Sequence, residues 1–129
     1  MSSERKKLVK ELDRVFSLYI RKRDNYKCVV CGLQKPQVVI QCGHLFSRKS
    51  MSTRWDELNA YAQCSGCNLI HNYDFERYRR VWIAKNDHKR YDKLYAKWSK
   101  PTKFTLSELE MLINFFKKKL KIIDGQDKV

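Results

Sequence analysis

Two pairs of cysteines, Cys28-x-x-Cys31 and Cys64-x-x-Cys67, have the type and spacing of a tetrahedral zinc site, in which each short turn presents two thiolates to one ion. A redox dithiol accounts for one such pair but not for two. The chain has five cysteines, and its opening residues MSSERKKLVK carry charge with no apolar stretch behind them. A reducing cytosol is therefore expected, and a disulfide framework is not. Thirty-two residues separate Cys31 from Cys64, more than the roughly 15–20 of a zinc ribbon. Zinc would thus staple the base of a longer insert.

That insert and its flank hold the other residues with useful chemistry. His44 titrates near neutrality in its ordinary state, as a general base at physiological pH must. Asn68 directly follows the last thiolate, and His71 comes one helical turn later on the same face. Arg48, Lys49 and Arg54 lie in the insert, where cationic side chains can clamp phosphates. Arg77, Arg79 and Arg80 follow on the next helix, at most two of them sharing a face, with Arg77 and Arg80 as the candidate contacts. Cys42, the fifth cysteine, reads as a packed strand residue, because thiolate suits zinc better than magnesium.

The elements that would position these groups are legible from apolar spacing. Leu8, Leu12, Val15, Phe16, Tyr19 and Ile20 make one helical stripe between Ser3 and about Arg23, with Asp24-Asn25 ending it. Gly32 suits the positive φ of a metal-binding turn. Residues 37–42 read as a strand and 60–63 as its partner, across a long loop 45–59. A helical pattern starts at Ser65, is disturbed from His71 to Asp74, and resumes through Phe75, Tyr78, Val81, Trp82 and Ile83. Another spans His88 to Trp98. The last opens with a Thr105-x-x-Glu108 capping box and runs to a stop near Gly125. The aromatic residues follow single helical faces, the spacing of core packing rather than of base-stacking platforms.

The expected fold class is α+β and mainly helical, in one domain over residues 1–129. It comprises an N-terminal helix within 1–27, a zinc-stapled core over 28–73 and a helical part over 74–129. The chain of 129 residues has the length of one domain, a mean hydropathy of −0.66 and no run long enough for a membrane span. Its 28 Lys and Arg outnumber 14 Asp and Glu, giving +14, the signature of a polyanion binder such as a DNA-binding protein. Segments 1–27, 28–73 and 74–129 carry +5, +2 and +7. The cationic flanks would supply affinity and the nearly neutral centre the chemistry.

Cys42-Gly43-His44 closing a strand, Asn59 before the next, and Cys64-Ser65-Gly66-Cys67-Asn68 opening a helix form the pattern of HNH endonucleases. More closely, the segments DRVFSLYIRKRDNYKCVVCG, QCGHLFSR, TRWDELNAYAQCSGCN and FTLSELEMLINFFKKKLK resemble the phage recombination endonucleases called NinG or Rap, from about Leu12 to Leu120. The resemblance implies a ββα-metal core, with His44 as the base and Asn59 as the residue that orients it. Asn68 would bind the hydrolytic cation, and His71 would either complete the ligand set or contact phosphate. Many HNH enzymes place Asp immediately before the histidine, where this chain has Gly43.

Hydrolysing a phosphodiester needs a base for water, a cation for the developing charge and a scaffold that holds both in line. Mg²⁺ or Mn²⁺, which accept oxygen ligands and leave positions open, suit the hydrolytic ion. The expected activity is metal-dependent cleavage of DNA. The resemblance implies branched substrates such as Holliday junctions and D-loops, in the cytosol of a phage-infected bacterium. A homodimer would cut two related strands. The competing readings are a zinc-stapled DNA-binding module that does not cut, and an HNH nuclease acting on ordinary duplex.

Overall fold

The computed structural model describes residues 2–127. Helix α1, Ser3–Arg23, begins where the Ser2 hydroxyl accepts a hydrogen bond from Arg5 N at 3.1 Å. Its last turn carries Arg21, Lys22 and Arg23, which suit the negative end of the helix dipole. The chain turns away where Asn25 and Tyr26 adopt left-handed backbone, φ +56° and +53°. The buried face of α1, Val9, Leu12, Val15, Phe16, Tyr19 and Ile20, packs on Leu109, Ile113 and Phe116 of the last helix.

That helix, α6, spans Leu106–Asp127, and its Thr105–Glu108 capping box forms as expected, with reciprocal bonds of 3.1 and 2.9 Å. Arg5 donates to the Phe104 carbonyl at one end of the pair, and Lys22 meets Asp124 at the other, each at 2.7 Å. The two helices therefore run parallel. The helix continues through Gly125 instead of stopping there; an interior glycine costs about 1 kcal/mol, too little to end a helix already anchored by packing.

Against α1 packs a two-stranded antiparallel hairpin, β1 (Ile40–His44) and β2 (Ala60–Cys64), in register from Ile40↔Cys64 to His44↔Ala60. The strand expected at 37–42 thus lies later. Gln37 N bonds back to Gln34 O at 2.9 Å, and Val39 is 67% exposed. At Cys64 the second strand gives way to helix α3, Ser65–Ile70, so beyond Ile40 the ladder ends in a single bond from Ser65 N to Val39 O at 2.9 Å. Strand alternation sends Cys42 and His44 toward α1, and Gln41 and Gly43 to the opposite face.

The segment expected as a loop over 45–59 contains a short helix α2, Met51–Arg54, and a 3₁₀ turn at Glu57–Asn59. After α3 come α4 (Phe75–Lys85) and α5 (His88–Trp98), which match the expected helices. Leu45, Phe46, Tyr61, Tyr78, Trp82 and Leu94 form a second core beneath them. A third cluster, Cys28, Ile40, Ala62, Cys64 and Cys67, surrounds the cysteine pairs. Helices thus flank a small hairpin stapled by thiols, as the composition and spacing imply. No helix among the described residues is long and apolar enough to cross a membrane.

Candidate functional site

The sulfur atoms of Cys28, Cys31, Cys64 and Cys67 all lie within 4.8 Å of one another. Cys31 Sγ and Cys64 Sγ are 3.7 Å apart, against about 3.8 Å for the edge of a tetrahedron built on Zn–S bonds of about 2.3 Å. The first turn closes through Gly32 N to Cys28 O at 3.0 Å, with Gly32 at φ +78°. In the second, Cys64 caps α3 and its sulfur accepts from Cys67 N at 3.3 Å. Burial pushes the Cys28 thiol up, but backbone N–H groups aimed at the sulfur bring it down to about 7. Four converging sulfurs with N–H donors on them fit zinc, and zinc here would fix the end of β2 to the start of α3.

His44 ends β1 inside a cavity of about 800 Å³, which is also lined by Asp13, Cys42, Arg48, Asn68 and His71. Its Nε2 lies 2.8 Å from the carbonyl oxygen of Arg54. A carbonyl only accepts, so Nε2 carries the proton and the lone pair belongs to Nδ1. Burial drives the imidazole pKa down to about 4, helped by the Arg48 charge and opposed by the bond to Arg54. At neutral pH the ring is uncharged, and it titrates well below the neutral range expected of a general base.

Asn59 is fully buried, and its side-chain amide bonds to residues other than His44. Its Nδ2 donates to Phe46 O and Thr53 O, each at 3.0 Å, and its Oδ1 accepts from Phe46 N at 2.9 Å. The amide thus fastens α2 and the strand exit together, holding in place the carbonyl that follows Thr53, which is Arg54's.

Asn68 and His71 both line the cavity. Asn68 Nδ2 donates to Gln41 Oε1 at 2.9 Å, which leaves its own amide oxygen available. His71 Nε2 donates to Leu45 O at 2.9 Å, and His71 Nδ1 is buried without a hydrogen-bond partner. An amide oxygen and an orphaned imidazole nitrogen suit a divalent ion that completes its shell with water and phosphate. Cys42 also borders the cavity, packs against the α1/α6 core, and has its thiol pushed up to about 12 by burial, as befits a packed residue.

Of the cations, Arg48 reaches the cavity and Lys49 is exposed beside it. Arg54 is placed otherwise than expected. Its guanidinium is tied to Asp13 by bonds of 2.6 and 3.0 Å, which leaves Arg48 and Lys49 as the loop's outward-facing cations. Arg77 and Arg80 are exposed one turn apart on α4, while Arg79 is engaged with Glu76 and the Tyr91 ring.

Three contributors were not foreseen. Asp13 also accepts from Trp55 Nε1 at 2.9 Å; its signal in the sequence is a lone acid between Leu12 and Phe16 at the edge of an apolar stripe. Gln63 lies over Gly43, where an added Cβ would stand 1.9 Å from Gln63 Oε1. A side chain at position 43 would have to displace Gln63, so glycine at this position goes with the glutamine above it. Phe46, directly after the strand exit, anchors a ring cluster beside the cavity.

The family model described as Bacteriophage Lambda NinG protein matches residues 2–126. Neither the curated proteins nor the solved structures compared include a match to the chain. Because the matched span takes in both cysteine pairs, the hairpin and the flanking helices alike, the chain belongs to the NinG family of HNH-type phage recombination endonucleases.

Proposed function

We propose that this protein hydrolyses DNA phosphodiesters in branched recombination intermediates, with His44 Nδ1 as the base that activates water. The observation that carries the reading is the bond from His44 Nε2 to the Arg54 carbonyl, which aims an uncharged imidazole into the cavity that Asn68, His71 and Arg48 share. As water attacks phosphorus, its proton passes to Nδ1 and the opposite P–O bond breaks, with no covalent enzyme intermediate. The hydrogen bond to Arg54 O strengthens as the ring becomes cationic, so the same carbonyl orients the base and stabilises its protonated form. Asn59 supports that carbonyl from behind.

Asn68 Oδ1 and His71 Nδ1 would hold Mg²⁺ or Mn²⁺, which when bound supplies positive charge to the phosphate and leaving oxygen. Arg48 and Lys49 bind the scissile strand, and Arg77 and Arg80 a neighbouring stretch of backbone. Zinc at the four cysteines is structural. Branched DNA, cut by a homodimer in a phage-infected cytosol, is favoured by the family and by cationic flanks around a nearly neutral centre.

Nicking assays on four-way, forked and linear DNA with Mg²⁺, comparing the natural protein with His44→Ala, test this. Cleavage of branched DNA lost in the variant is the expected result. Equal binding by both proteins with cutting by neither identifies a binding module, and equal cleavage of linear and four-way DNA identifies a duplex nuclease.

A further inference from the structure

Phe46 is the hub of an aromatic cluster at the mouth of the cavity. Its ring centroid lies 5.9 Å from Phe75, 5.4 Å from Tyr91, 5.6 Å from Tyr95 and 5.7 Å from Trp98. Phe46 itself is buried, yet Phe75 and Tyr95 remain 36% and 51% exposed, and Trp98 is only partly covered. Tyr78 and Trp82, on the same run of helices, are fully buried. The expectation that the aromatic stripes are core therefore holds for Tyr78 and Trp82, holds in part for Trp98, which packs on the same core while partly exposed, and fails for Phe75 and Tyr95. Leaving large rings in water forgoes burial energy.

Two of the outer rings share the catalytic cavity. Phe75 and Trp98 line it together with His44 and Arg48. The indole is fixed in place, since Trp98 Nε1 donates to the carbonyl of Ser47 at 3.0 Å, the residue before Arg48. A fixed ring beside a cation offers partners for the two things a nucleotide presents, a π face and a phosphate. The net charge of +14 favours a polyanion over a neutral aromatic ligand at the same place.

We propose that Phe75 and Trp98 form a stacking platform for an unpaired base next to the phosphate presented to His44. Bases within a duplex already stack on both faces, so the platform accepts only a base freed from its neighbours, as at a branch point or strand junction. Sequence is not read there, because every base has a π face. The proposal rests on the nuclease reading for the position of the phosphate, and it makes local unstacking the feature by which a branch is selected.

The test is binding of the metal-activator-free, zinc-loaded protein to single-stranded oligo(dT) and to an abasic deoxyribose-phosphate oligomer of equal length and charge. Oligo(dT) is expected to bind on the order of tenfold or more tightly. It should also quench tryptophan emission, because Trp55 and Trp82 are buried and Trp98 is the accessible indole. Trp98→Ala should abolish the preference and Trp98→Phe retain most of it. Phe75→Ala, at a partly exposed position, should weaken it. Equal binding of the two oligomers, or a preference undiminished in both alanine variants, overturns the platform. No bond is cut in this assay, so a base preference in a protein that fails to nick branched DNA upholds the platform and sinks the nuclease reading alone.

Discussion

Asp13 of α1 and Arg54 of α2 are joined by two hydrogen bonds, Nη2 to Oδ2 at 2.6 Å and Nε to Oδ1 at 3.0 Å, and the carbonyl of this same Arg54 receives His44 Nε2 at 2.8 Å. Both side chains are mostly shielded, with 18% and 24% exposure for arginine and aspartate, so the pair escapes much of the screening that makes surface ion pairs weak. It holds the backbone carbonyl to which His44 Nε2 donates.

Asp13→Asn is accordingly expected to lower kcat on branched DNA about tenfold to a hundredfold with little change in KM, and to destabilise the fold by about 1–2 kcal/mol. Arg54→Lys should not restore the rate, because an ammonium lacks the two-pronged fit. Steady-state kinetics and denaturant unfolding check both. A change confined to KM would assign the pair to DNA binding.

His44 titrates near 4 in the fold, below the ordinary value of about 6.5 for an unfolded histidine. Between these values the unfolded chain binds the proton and the folded one does not, so stability is full above about pH 6.5 and falls as pH drops toward 4. The loss attributable to this group is on the order of 3 kcal/mol. Unfolding free energies of the natural protein and His44→Gln, followed from pH 7 to pH 4, should converge by about that amount. Parallel curves would place the titration elsewhere.

Gly43→Ala forces a methyl into Gln63, whose amide is itself buried without partners. Overpacking of this kind costs about 1–3 kcal/mol. Shortening the obstruction should relieve it, so Gly43→Ala/Gln63→Ala is expected to be more stable than the sum of the single changes implies. Thermal unfolding of the four proteins decides the sign of the coupling.

One zinc per chain is expected by elemental analysis. Stripping it with a chelator, or Cys64→Ser, should abolish the cooperative transition and cutting together, because Cys64 both ends β2 and caps α3, which carries Asn68 and leads directly into His71. A folded, zinc-free protein would refute the four-thiolate site.

Arg48→Ala and Lys49→Ala should each reduce the slope of log affinity against log salt by about 1. Arg54→Ala should leave that slope nearly unchanged, since its guanidinium faces Asp13. Fluorescence anisotropy titrations at several salt concentrations separate the two classes.

What could be read in advance was whatever is local along the chain. The helices declared themselves through apolar spacing and the Thr105 cap, and the zinc centre through two C-x-x-C turns, each complete within four residues. Relationships across the fold left weaker marks. Nothing near Arg54 in sequence announces Asp13, which lies 41 residues away, and nothing near Gly43 announces Gln63 above it. Val38 and Val39 have strand-like side chains, but the facing chain turns into α3 at Ser65, so the strand begins at Ile40. Asn59 was found for its place in a motif, while its actual task, bonding two carbonyls and one N–H, is visible only in three dimensions.

Phe16 stands 5.8 Å from the His44 ring and 5.0 Å from that of Phe116, so the wall behind the histidine is braced by a helix that begins almost forty residues after Cys67. During synthesis the thiol-stapled hairpin leaves the ribosome well before this brace, and its closing contacts span about a hundred residues, the slow kind to form. The wall behind His44 is then complete only once α6 has docked on α1.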